Sequence, residues 1–198
     1  MQYKNINYFH FEKIDSTNRF AKAQATTFAQ DRLTCVIADE QSSAHGTYGK
    51  KWLSPQGNLA VSLCFFLPQD SSIVKHMAQF TTLCCAQVLK KKGFSPKIKW
   101  PNDLLLEKKK VAGVLVETVA LKDVLCVIVG IGMNLNIDQK SLAQLDQPAT
   151  SLSEQIPQVW HVEEILEPLL KLFIEDLQMF KKEGFSAFAD SYAQFSNT

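Results

Sequence analysis

A chain of 198 residues suits one sizeable domain, and 46% hydrophobic residues, with 13 Phe among them, supply a core for it. Its 21 basic and 20 acidic residues leave a formal charge of +1, which removes the electrostatic footprint expected of a nucleic-acid or anionic-membrane binder. No apolar run approaches the ~20 residues that span a bilayer, the opening MQYKNINYFHFEK has no apolar signal core, and five cysteines, odd in number and set in apolar segments, read as buried thiols of a cytoplasmic protein.

In chain order, period-two or β-branched runs predict strands over 8–13, 33–39, 59–66, 96–100, 111–119 and 124–136. Helical spacing predicts helices over 16–29, with Ser16 as N-cap, and over 73–92, where Val74, Met77, Phe80 and Leu83 recur on one face. The charged turns EKKK and ALKD make the last two pairs of strands antiparallel. A polar stretch, 137–160, leads to helices near 162–182 and 185–195, the first of them started or kinked by Pro168. Strands flanked by helices, without a regular β-α alternation, predict one α+β domain with a mixed, largely antiparallel sheet.

Six of the eight glycines fall in three polar segments: ADEQSSAHGTYGKKWLSPQGNL at 38–59, KWPNDLLLEKKKVAGVLVE at 99–117 and GIGMNLN at 130–136. Each also has a turn-forming reading. KWPND gathers a cation, a flat ring, an amide and a carboxylate at one strand end; either it is a solvated, capped turn or Asp103 holds Mg²⁺ while Lys99 meets phosphate. Lys110 ends a run of three lysines and begins an apolar strand, with Ala112 and Gly113 leaving room for a ligand against the sheet. The 42–54 segment can offer backbone N–H groups to an anion and close over a ligand, yet matches neither GxxxxGK[ST] nor GxGxxG.

The order Ser16-Thr17-Asn18, DEQSSAHGTYGKKWLSPQGNL from Asp39, KWPND from Lys99, KKVAGVLVE from Lys109, GIGMNLN from Gly130 and ATSL from Ala149 resembles the biotin protein ligases from about residue 10 to 155. The resemblance implies the class II synthetase-like biotin/lipoate ligase fold. It also implies two steps: biotin and Mg-ATP give biotinyl-5′-AMP, and a lysine of a biotin carboxyl carrier protein, as in acetyl-CoA carboxylase or a related carboxylase, takes the biotinyl group. It assigns biotin to Ser16, Thr17, Asn18, Gln41, His45, Gly46, Thr47, Lys110 and Gly113. It assigns the nucleotide to Lys50, Trp52, Asn102, Gly132 and Asn134. Lys110, Asp103 and Lys99 are the expected catalytic residues, with Asp103 toward Mg. The ureido ring of biotin, with two donors and one acceptor, suits small hydroxyl and amide side chains.

The family loop GRGRxGR is replaced by Ala44-His45-Gly46-Thr47-Tyr48-Gly49-Lys50, so both inner arginines are lost and a looser hold on the adenylate is expected. Further expectations are a single catalytic domain without an N-terminal helix-turn-helix or a C-terminal SH3-like barrel, a homodimer as one assembly, and no nucleic-acid or membrane partner. Two other functions stay open: a lipoate ligase, whose RRxxGGG loop and downstream His-Asp pair are missing, and a biotin-binding sensor without chemistry.

Overall fold

A computed structural model describes residues 6–196. Seven strands and six α-helices appear among them: β1 (Ile6–Ile14), α1 (Thr17–Gln24), β2 (Leu33–Gln41), β3 (Leu59–Pro68), α2 (Met77–Lys91), β4 (Lys97–Lys99), β5 (Asp103–Leu106), β6 (Lys109–Ala120), β7 (Val124–Met133), α3 (Gln139–Leu142), α4 (Leu152–Gln155), α5 (Val162–Glu183) and α6 (Ala189–Phe195). The strands form one sheet in the order β1-β2-β3-β7-β6-β5-β4. Only β1 and β2 run parallel, because α1 joins them as a crossover; every other neighbouring pair is antiparallel. The expected mixed, largely antiparallel α+β sheet is therefore the one observed.

The central strands β3 and β7 pair along ten residues, Leu59 to Pro68 against Met133 to Val124. Their sequences, LAVSLCFFLP and VLCVIVGIGM, are near-continuous apolar runs because helices or loops cover both faces. On one face α2 and α5 build the main core, in which Phe80 stacks on Phe180 at 4.4 Å and meets Phe173 and Phe188. On the other face α1 buries Ala21 and Ala25 against Val36, Cys64, Cys126 and Ile128. This second face is covered only at the α1 end, and the remainder forms the floor of a cleft. All five cysteines are buried free thiols, and no helix among the described residues is long and apolar enough to cross a membrane.

Several boundaries differ from expectation. Helix α1 stops at Gln24 rather than 29, and Thr26-Thr27 adds two β-branched residues just beyond it. The segment Ser72–His76 is a 3-10 turn that delays α2 to Met77, and Phe185–Phe188 is a similar turn before α6. Pro168 lies inside α5 rather than at its start. The polar 137–160 stretch holds α3 and α4, each opened by a side-chain cap: Asp138 accepts from the Ser141 N–H and Ser151 from the Glu154 N–H. Strand β5 was not expected; the four-residue DLLL run lies between β4 and β6, so the hairpin runs from β5 to β6 rather than from 96–100 to 111–119. Its two-residue turn is Glu107-Lys108, both at positive φ (47° and 65°), the backbone of a primed hairpin turn.

Candidate active site

The cleft lies over the open half of the second face and holds a cavity of about 130 Å³. Its floor consists of register neighbours: Ser62 of β3 pairs with Gly130 of β7, Gly130 with Leu115 of β6, and Gly132 of β7 with Gly113 of β6. The glycines here serve the protein's own side chains. A Cβ at Gly130 would stand 2.3 Å from Asn18 Oδ1, and one at Gly132 would stand 2.6 Å from the Trp52 indole. A Cβ at Gly113 would meet Lys110 Cε at 3.2 Å, so the room beside Ala112-Gly113, expected for a ligand, is taken first by the lysine.

Lys110 reaches this face through a register break. Leu104 pairs with Ala112 but Leu105 pairs with Lys110, so Val111 is the extra residue of a β-bulge. Strict alternation would send Lys110 to the same face as Ala112; instead Val111 and Ala112 both enter the main core, and the lysine turns over the floor. Its backbone is clamped by the 148–150 segment: Lys110 N–H donates to the Pro148 carbonyl and Thr150 N–H to the Lys110 carbonyl, both at 2.9 Å. Lys110 Nζ lies 2.6 Å from Asp103 Oδ1, with both side chains less than one-fifth exposed, and 5.4 Å from the centre of the Trp52 ring. Asn102 beside it donates Nδ2 to the Val114 carbonyl. With Lys50 and Lys51 at the rim and Asp103 the one carboxylate among the lining residues, this end of the cleft is positive and suits an anion.

The other end is a neutral hydrogen-bonding network. Ser16 caps α1, which directs Thr17 and Asn18 into the cleft, and all three are buried. Thr17 N–H donates to Gln41 Oε1 at 2.8 Å, while Gln41 Nε2 donates to Ser54 Oγ, so the glutamine amide has one orientation. Thr17 Oγ1 lies 3.1 Å from Gln41 Oε1 and 2.8 Å from Ser62 Oγ, which itself lies 2.5 Å from Asn18 Oδ1. Asn18 Nδ2 donates to Glu117 Oε2 at 2.9 Å, and Lys22 Nζ holds Glu117 Oε1 at 2.8 Å. Burial pushes the Glu117 carboxyl up, but hydrogen bonds from Lys22 and Asn18 and the nearby positive charges outweigh it, so Glu117 titrates below its ordinary value.

Between the two ends, residues 44–52 form a flap. Trp52 N–H donates to the Ala44 carbonyl, Gly46 N–H to the Lys50 carbonyl, and His45 bridges Lys51. At its tip Tyr48 and Gly49 take positive φ, and Tyr48 is fully exposed.

Fourteen of the sixteen expected site residues line this one cleft. Lys99 does not: it is exposed on β4, where it is the cross-strand partner of Asp103. Asn134 lies in an adjoining cleft that shares Lys50, Lys51, Trp52 and Lys110, and its Nδ2 is committed to the Thr150 carbonyl. Sequence reasoning passed over Ser62, Glu117, Lys22 and Gly130. The signals available were Glu117 closing the KKVAGVLVE motif and Gly130 opening GIGMNLN, neither of which was given a role.

The chain matches the Biotin/lipoate A/B protein ligase family over residues 10–134. It is 28% identical over 187 residues to the bifunctional ligase/repressor BirA of Escherichia coli (strain K12), a match that covers 93% of this chain and 57% of that protein. The identity is 31% over 183 residues to BirA of Bacillus subtilis (strain 168), covering 89% and 55%. The chain thus spans little more than half the length of these relatives. Among solved structures, a biotin protein ligase from Aquifex aeolicus in complex with biotin and ATP is similar at a TM-score of 0.74 and 32% identity, over 92% of this chain and 75% of that one. A bi-partite lipoate protein ligase from Thermoplasma acidophilum shares the fold at a TM-score of 0.59 and 11% identity, over 87% of this chain and 84% of that one. By its matched residues and its fold, this chain belongs to the biotin/lipoate A/B protein ligase family.

Proposed function

We propose that the chain is a biotin protein ligase: it joins biotin to AMP at the expense of ATP and transfers the biotinyl group to a lysine of a biotin carboxyl carrier protein in the cytoplasm. The observation that carries this reading is the bulge-mounted Lys110, held against Asp103 at the positive end of a cleft whose other end is a neutral hydroxyl-amide network. Such a cleft fits a molecule with a polar, uncharged head and a carboxylate tail. The Aquifex aeolicus structure, solved with biotin and ATP, shares this fold at 32% identity and adds support.

In the first step a carboxylate oxygen of biotin attacks the α-phosphorus of ATP, the bond to the β-phosphate oxygen breaks, and pyrophosphate leaves. Negative charge gathers on the α-phosphate oxygens, where Lys110 can offset it after releasing Asp103. In the second step the uncharged amine of the acceptor lysine attacks the acyl carbon; an amide forms, AMP leaves and the amine loses a proton. The flap over residues 44–52 would keep water from the acyl adenylate between the steps.

Among the described residues no group of three or more His, Cys, Asp or Glu side chains could hold a metal ion. Asp103, with the Asn102 amide beside it, fits the smaller demand of an Mg ion that takes its other ligands from water and from phosphate. When bound, that ion would offset charge on the phosphates. ATP-pyrophosphate exchange tests the first step: biotin should support it and lipoate should not, and exchange driven by lipoate would favour a lipoate ligase. Biotin binding without any exchange would favour a sensor.

A further inference from the structure

A second pocket lies where α5 passes the starts of β1 and β2 and the second half of β3, and none of its lining residues lines the cleft or the one adjoining it. It holds a cavity of about 370 Å³, larger than that in the cleft and within the range of small-molecule sites. Its walls are apolar. Ile6 and Leu33, neighbours in the β1-β2 register, and Phe65 of β3 supply the sheet side. Ile174 and Leu177, three apart on one face of α5, supply the other.

Three ionisable groups line this pocket: Asp31, Arg32 and Lys181. Arg32 Nε lies 3.8 Å from Asp31 Oδ1 at the exposed rim, a loose pair through one nitrogen. Lys181 has no such partner. Four residues beyond Leu177, it carries its Nζ over the Phe65 ring, 5.4 Å from the centre. Among the described residues no carboxylate oxygen lies within 4 Å of that ammonium. Its apolar surroundings disfavour the charged form and push its titration down. An ammonium set over apolar walls without a counter-ion is completed by an anion that brings its own apolar body.

We propose that this pocket is a second ligand site, for a straight-chain carboxylate of about ten carbons whose chain lies between Phe65 and Leu177 and whose carboxylate pairs with Lys181. Arg32 supplies a second donor at the rim. The chain length follows from the volume: at ~30 Å³ per water-sized group, the cavity has room for roughly twelve non-hydrogen atoms. The site stands apart from the biotin reading, because the two share no lining residue.

The experiment titrates decanoate and decyltrimethylammonium, equal chains of opposite charge, into the whole chain by calorimetry. Decanoate should bind with a Kd of about 1 mM or tighter, the scale that twelve non-hydrogen atoms support, and at least about tenfold more tightly than the cation. Lys181→Gln should weaken decanoate about tenfold or more without weakening the cation, and Lys181→Arg should stay within about threefold of wild type. Urea midpoints check that both variants are folded. A diazirine-bearing decanoate, located by mass spectrometry, should label the peptides that carry Phe65 and Ile174 to Lys181. The proposal is overturned if decanoate does not bind at this level, if both amphiphiles bind alike, or if Lys181→Gln binds decanoate as wild type does. Label confined to the flap over residues 44–52 would overturn it too, since the carboxylate would then occupy the cleft.

Discussion

Gly132→Ala tests the glycine floor without removing a polar group. The new Cβ would stand 2.6 Å from Trp52 Cε2 and Nε1, whereas ordinary contact begins near 3.4 Å, so the indole must retreat by about 0.8 Å. The strand cannot yield, because Gly132 sits between Ala60 of β3 and Gly113 of β6 in the middle of the sheet. The residue is tied at its backbone, where the Trp52 main-chain N–H donates to the Ala44 carbonyl at the foot of the flap, and Lys110 packs over the indole ring. Overpacking of this kind costs about 1–3 kcal/mol. If the flap absorbs the strain, that cost appears as roughly a five- to 150-fold rise in ATP KM; if the fold absorbs it, it appears in the free energy of unfolding. Urea unfolding followed by circular dichroism and ATP KM in pyrophosphate release measure the two shares. We expect most of it in ATP KM, because the indole borders open cleft. An alanine variant with stability within about 0.3 kcal/mol and ATP KM within twofold of wild type would refute the packing argument.

Asn58, outside the expected site, should prove structural: its buried Oδ1 accepts from the Leu135 and Asn136 N–H groups at 2.7 and 3.1 Å. Asn58→Ala orphans both and should lower unfolding free energy by about 2–4 kcal/mol, with Asn58→Asp losing less because it keeps the acceptor. Alkaline pH should destabilise the chain. Burial pushes the Cys35 and Cys85 thiols up to about 12 and Cys126 to about 11, from an ordinary 9.0. Unfolded thiols ionise first, so stability is level below about pH 9 and falls as pH rises toward those folded values; urea midpoints near pH 8 and near pH 10 check the sign. Thr47, exposed at the flap, stands where the resemblance to the biotin protein ligases leads one to expect an arginine. Thr47→Arg should slow release of the acyl adenylate, and an unchanged off-rate would show that Lys50, Lys110 and backbone donors already suffice.

The parts of the fold that were legible are those in which one local pattern decides the outcome. The runs of β3 and β7 are apolar on both faces, and Ser16 announces α1 by its capping chemistry. Strand β5 escaped because four residues after a turn-like Asn-Asp carry no period. The bulge at Val111 escaped because it is a register relation between two strands, and it alone decides which face Lys110 takes. The motifs picked residues that the fold gathers, since fourteen of the sixteen expected line one cleft. They misjudged what the glycines are for: Gly130 and Gly132 admit Asn18 and Trp52, side chains more than 75 positions away in the chain. Glu117 closes the KKVAGVLVE motif, but its contact with Asn18, 99 positions away, was not legible for the same reason.

The central claim is most directly tested by incubating the purified chain with biotin, ATP, Mg²⁺ and a biotin carboxyl carrier domain, then locating the modified residue by mass spectrometry. The account predicts one biotinylated lysine on the carrier, with AMP and pyrophosphate released, and none of these products from a folded Lys110→Ala variant. An unmodified carrier with the wild-type chain, or full activity in Lys110→Ala, would contradict it.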